Sequence, residues 1–320
     1  MKKQIALGLL ALTISIKALS QTPVTVNEKS TTRHGPEKGS LIIIGGGGST
    51  PEIWSKFLEL AGGKEKANIV VITAAVGDSA AFNTRSAESI KKQLGIKNVT
   101  ILHTKSLAEA NSEKFVAPLR KATGVWFDGG RQWRIADSYL NTLTHQAFFD
   151  VLNRGGVIIG SSAGASIQGS FLWRGDTKGP HILVGDHTQG LGFLKNSAID
   201  QHLLKRNRPF DLVDFIKKSP ELIGIGLDES TAIVVQRDTL EVLGKSYALI
   251  YDYNIITGKG PSHVTADGKE DYTASSGPFI FLSQGQKYDL RNRKVLPDTR
   301  KRAAAAAATA VSAGDKQSKP

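Results

Sequence analysis

Residues 156–165 read GVIIGSSAGA. A run of apolar β-branched residues, Val157 to Ile159, stops on a serine wrapped in glycine and alanine. A solvated loop has no use for such a run, and a core strand does not normally end on a hydroxyl among tiny residues. The stretch reads as a buried strand turning sharply into a helix. Gly160-x-Ser162-x-Gly164 is the nucleophile-elbow pattern in that setting: small neighbours let the turn strain, raise the Ser162 hydroxyl above a sheet and aim the next helix's N–H groups at it. From the pattern alone, an ordinary tight turn is the competing reading.

The same texture runs upstream. Leu41–Ile44 is an apolar strand followed by GGGGST and a helix opening near Pro51. Asn68–Thr73, Val99–Leu102 and Gly124–Phe127 are further strands. Helical segments fall before Leu94, over 112–121, and as one long stretch over 132–153 that stops at Arg154-Gly155-Gly156. Continuous apolar strands alternating with helices predict a parallel sheet covered on both faces, an α/β fold. After about residue 220 the runs shorten (GIGLDES, TAIVVQ, LEVLG, YALIYD, PFIFLS). They predict paired, partly antiparallel strands completing one edge of the same domain.

The ends differ in character. MKKQIALGLLALTISIKALS has the layout of a secretory signal, with cleavage expected before Gln21. Residues 21–38 read as a flexible lead-in, 39–297 as a single α/β domain, and the Ala-rich basic stretch 298–320 as a disordered tail. The mature protein is expected to be exported, to the periplasm or beyond, without stable membrane insertion. The chain has no cysteine, which excludes disulfides, thiolate metal sites and a cysteine nucleophile. Its net charge of +12 is not gathered into a basic run interleaved with aromatics, so nucleic acid is not an expected partner.

Ligands of open α/β sheets collect at the carboxyl ends of strands, and three of those ends are glycine-rich: GGGGS, FDGGRQ and GSSAGA. A nucleophilic serine needs a base. His202, in AIDQHLLKRNRPFDL, precedes Lys205, Arg206 and Arg208, so it reads either as a base beside cationic clamps or as part of a solvated basic segment. GIGLDES supplies Asp228 and Glu229 as candidate orienting acids, with two turn acids as the alternative. The order Ser, His, acid differs from the Ser, acid, His order of α/β-hydrolases. Dinucleotide binding at GGGGS is disfavoured, because the third glycine of G-x-G-x-x-G is missing and the second strand ends without an acid.

Together, LIIIGGGGS, FDGGRQ, GSSAGAS, DQH-x3-R-x-R and GIGLDESTA, spread over about 39–235, resemble the cyanophycinase and aspartyl dipeptidase (peptidase E) group of serine peptidases. The resemblance implies a flavodoxin-like, class I glutamine amidotransferase-like fold. It implies Ser162 as nucleophile, His202 as base and Glu229 as the orienting acid, with Gly130 and Ala163 N–H groups as the oxyanion hole. It also implies a pocket lined by Gln132, Asp200, Gln201, Arg206 and Arg208, and chemistry without metal or cofactor. The implied substrate is a peptide rich in Asp and Arg, of the β-aspartyl-arginine type, with Asp200 holding its guanidinium or an amine. One departure stands out: where cyanophycinases usually carry a third arginine, this chain has Asp211. A dipeptidase or isoaspartyl-peptide hydrolase, or a non-catalytic binding module on the same fold, is therefore also open at this point. A homodimer is the assembly this reading allows.

Overall fold

A computed structural model describes residues 34–77, 85–258 and 277–297. The expected signal segment and C-terminal tail lie outside these residues. The first five strands are β1 (Ser40–Ile44), β2 (Ile69–Ile72), β3 (Val99–Leu102), β4 (Gly124–Phe127) and β5 (Val157–Ser161). They pair in parallel in the order β1-β5-β4-β2-β3. The chain then adds β6 (Gly169–Phe171), β7 (Leu194–Gln201), β8 (Ile223–Leu227), β9 (Thr231–Gln236), β10 (Thr239–Gly244), β11 (Ala248–Tyr251), β12 (Ile280–Leu282), β13 (Lys287–Asp289) and β14 (Lys294–Leu296). β9, β10, β13 and β14 extend the β1 edge antiparallel, giving a nine-stranded sheet.

The α/β fold is as expected, but the late strands divide between two sheets. β8, β11 and β12 join β6 and β7 in a second, five-stranded sheet, parallel across β6-β7-β8 and antiparallel beyond. β7 escapes a sequence reading because LKNSAIDQ has no continuous apolar run, although its last five residues are all buried.

Alternation along β1 shows why the large sheet needs two cores. Leu41 and Ile43 point into one cluster, and Ile42 and Ile44 into the other. The second cluster is closed by the helices Pro51–Leu60 and Arg85–Leu94, through Ile53, Phe57, Ala87, Ile90 and Leu94. The first cluster takes side chains from residues 135–152 and from the second sheet, including Ile199, Ile225 and Ile250. The Pro51 helix starts as its sequence dictates, with Thr50 Oγ1 accepting from Ile53 N–H and proline in the first turn.

The single helix expected over 132–153 is two helices, Gln132–Tyr139 and Leu143–Asn153. Asn141 adopts a left-handed φ of 59°, and the Thr142 hydroxyl caps the second helix by accepting from His145 N–H. The expected lead-in is seated at its end: His34 is buried, with its N–H on Asp238 and Nδ1 3.1 Å from the Lys195 carbonyl.

Candidate active site

Ser162 stands between β5 and a four-residue helix, Ala163–Ser166, with φ 57° and ψ −112°. Backbone strain of this kind persists only where the surroundings enforce it. Here they do: a Cβ on Gly160 would lie 2.2 Å from the Gly164 carbonyl oxygen, and one on Gly164 would lie 2.2 Å from that of Phe127. Both glycines flanking the elbow are therefore fixed by backbone-to-backbone contact. The turn is not an ordinary one.

His202 follows the last residue of β7, and Glu229 lies two residues past the end of β8. The nucleophile candidate thus comes from the large sheet, and its partners come from the small one. Ser162 Oγ is 2.8 Å from His202 Nε2, and His202 Nδ1 is 2.7 Å from Glu229 Oε1. With the Nδ1 proton donated to the carboxylate, Nε2 is the acceptor for the serine hydroxyl, and the arrangement can draw a proton from Oγ. The imidazole is largely buried. Burial lowers its pKa below the usual 6.5, and the charges of Arg206 and Arg208 act in the same direction against the raising effect of Glu229.

Asp228, the other candidate acid, faces away from the histidine. Its carboxylate accepts from the N–H groups of Leu204 and Lys205 and from the Ser246 hydroxyl, so it shapes the turn that follows His202.

One backbone segment gathers these pieces. Ser162 N–H donates to the Ile44 carbonyl, His202 N–H to Gly45 and Ser230 N–H to Gly46, at 3.1, 2.7 and 2.9 Å. Gly46 has φ 123°, and a Cβ there would sit 2.2 Å from His202 Cε1. The glycine run after β1 therefore seats the imidazole and leaves no room for a side chain. The loop after β4 approaches from the other side: a Cβ on Gly129 would lie 3.4 Å from Ser162 Cβ. Among the described residues, neither Gly130 nor Ala163 N–H donates to a protein acceptor.

The expected pocket residues divide in two. Arg206 is exposed and close enough to bias the His202 titration. Arg208 and Gln201 are buried together, with Arg208 Nη1 donating to the Gln201 carbonyl at 2.9 Å. Gln132 is buried and donates through Nε2 to the carbonyls of Trp173 and Arg174. Asp200 differs from the expectation that it holds a substrate cation. It is fully buried, and its oxygens accept from Arg174 Nε and Nη2, Trp173 Nε1 and the Gln201 N–H. Its carboxylate is thus already paired within the protein, with Arg208 a further cation at 3.5 Å.

Sequence reading missed Arg174. Its guanidinium is bidentate to Asp200, donates to Asp211 and reaches the Pro180 carbonyl through Nη1. Nothing in the local sequence signals this role, because its carboxylate partners lie 26 and 37 positions further along the chain.

The sequence matches the family model of Peptidase family S51 over residues 41–243, a span that includes Ser162, His202 and Glu229. The chain belongs to peptidase family S51.

As an S51 member it is a serine-type peptidase. It is 31% identical over 274 residues to a cyanophycinase of Synechococcus elongatus, covering 83% of this chain and 84% of that protein. It is 32% identical over 268 residues to a cyanophycinase of a Nostoc species, covering 81% and 88%. A crystal structure of a peptidase from an acI-B1 Actinobacterium shares the fold, with a TM-score of 0.59 at 22% identity over 79% of this chain and 97% of that one.

Proposed function

We propose that this S51 peptidase hydrolyses aspartyl peptides of the cyanophycin type through Ser162, His202 and Glu229. The hydrogen-bonded series Ser162 Oγ–His202–Glu229, at 2.8 and 2.7 Å on a strained elbow, carries the reading. His202 Nε2 takes the Ser162 proton as Oγ attacks the scissile carbonyl. The Gly130 and Ala163 N–H groups receive the developing oxyanion, as pre-aimed donors do in acyl transfer. His202 then gives its proton to the departing amine, and water discharges the acyl-serine by the same route. Glu229 holds the imidazole in the tautomer that leaves Nε2 free.

The named activity of the relatives supports a β-aspartyl-arginine substrate. Arg206 and Arg208, beside His202, suit its carboxylates. A shorter aspartyl dipeptide is the second reading, favoured by Asp211 at the third-arginine position. The N-terminal leader supports action after export.

Purified wild type and Ser162→Ala are incubated with cyanophycin and with α- and β-aspartyl dipeptides, and products are identified by mass spectrometry. β-Aspartyl-arginine released by wild type alone is the expected result. Dipeptide cleavage without polymer degradation would favour the second reading, and turnover by Ser162→Ala near the wild-type rate would overturn the mechanism.

A further inference from the structure

A cleft of about 370 Å³ opens beside the elbow, and neither Arg206 nor Arg208 lines it. Ser161, next to Ser162, lines it together with Gly47 and Ser49. Gly47 has two neighbours. It borders the cleft, and a Cβ there would lie 3.0 Å from Glu229 Cβ. The glycine run after β1 therefore separates the cleft from the histidine and glutamate by one thickness of backbone. The volume falls within the range of small-ligand pockets.

The walls are specific. Trp54 lines the cleft and stacks on Trp126, with centroids 5.2 Å apart and planes 11° from parallel. Trp126 Nε1 donates to Asp128 at 2.8 Å, and the Asp128 carboxylate also hydrogen-bonds Ser86 on the cleft wall. Ser89 and Gln93, one turn apart on the helix Arg85–Leu94, add exposed polar groups to the lining. Arg85, itself engaged, also lines the cleft. An aromatic face, side-chain oxygens and a carboxylate behind them suit a planar cation with several N–H donors.

We infer that this cleft is the leaving-side subsite, taking the arginyl side chain of the unit whose amine is released from the scissile bond. The inference rests on the proposed substrate. It divides the substrate at Ser162: the acylating unit lies toward Arg206 and Arg208, and the departing unit lies against Trp54.

The test uses two probes. One is the two-unit β-aspartyl-arginine peptide, which has a leaving unit. The other is the α-methyl ester of a single β-aspartyl-arginine, whose leaving group is methanol. Ser89→Trp narrows the cleft from an exposed helical position, and Gln93→Trp does so one turn later. Each is expected to lower the ratio of peptide to ester kcat/KM by about tenfold or more, because only the peptide spends binding energy there. An unmoved ratio in both variants, whether or not the individual rates fall, overturns the assignment. Hydrolysis of neither probe by wild type refutes the substrate itself and this subsite with it. Hydrolysis of both with an unmoved ratio refutes the subsite alone.

Discussion

Arg174 donates to Asp211, while its remaining donors grip Asp200 and the Pro180 carbonyl. From the sequence, Asp211 is a reversed charge that should repel a substrate carboxylate. In the structure that charge is matched by a buried arginine. The Arg174 side chain is only 3% exposed and that of Asp200 is fully buried, so the pair has little water to fall back on.

Asp211→Arg is therefore not a restoration of the missing third arginine. It places a second cation against Arg174, and the expected result is a less stable protein with weaker substrate binding. Arg174→Ala removes two of the donors to the buried Asp200, leaving Trp173 Nε1, the Gln201 N–H and Arg208 at 3.5 Å, and should cost up to about 3 kcal/mol, the lower end of the range for breaking a buried ion pair. Denaturant unfolding of both variants checks this. An Asp211→Arg protein as stable as wild type and with a lower KM would show that the substitution is an independent pocket change.

The glycine run after β1 should be intolerant for a catalytic reason. Gly46→Ala is expected to keep the fold and lower kcat by roughly a hundredfold, since a displaced imidazole loses its line to Oγ. Circular dichroism and steady-state kinetics test the two halves of that statement, and a folded Gly46→Ala with wild-type kcat would contradict the close approach to His202.

The His202 titration has a definite sign. The base must be neutral, and burial together with Arg206 and Arg208 lowers its pKa. Activity should therefore persist as pH falls below 6.5, with the acid limb of kcat/KM on the acidic side of that value. Arg206→Gln removes one lowering influence and should move that limb upward, besides weakening substrate binding. A limb that stays fixed, or moves down, would separate Arg206 from the base.

Glu229 and Asp228 are adjacent acids with different partners: Glu229 meets His202, and Asp228 accepts from the Leu204 and Lys205 N–H groups and the Ser246 hydroxyl. Glu229→Gln should lower kcat on the order of 10³-fold at nearly unchanged stability, because the imidazole loses the partner that fixes its tautomer. Asp228→Asn should loosen the turn after β7 and show a smaller kinetic effect with a measurable fall in melting temperature. Reversal of those two phenotypes would reassign the orienting acid.

The strand ends that build this site were readable because each is an apolar run stopped by glycine. GVIIGSSAGA announces its own turn, and the structure adds only the reason its glycines are fixed. The choice between Asp228 and Glu229 was not readable from the residues. It depends on which carboxylate the Leu204 and Lys205 N–H groups capture, a contact across more than twenty positions. The break at Asn141-Thr142 was written locally, as a left-handed asparagine before a capping threonine, but periodicity on either side concealed it. Arg174 was invisible for a simpler reason: an arginine in a loop looks solvated until its acids fold over it.

The carbonyls of Ile44, Gly45 and Gly46 hold Ser162, the residue that bears the imidazole, and the neighbour of Glu229. β1, made early, is paired with β5 on one side and with β9 on the other. During synthesis, then, the first strand waits for partners that leave the ribosome much later. Until the chain has been made past Thr231, no cutting centre exists. The order of the strands thus sets when the three candidate residues can meet: only after the chain has been made beyond the end of the second sheet's β8.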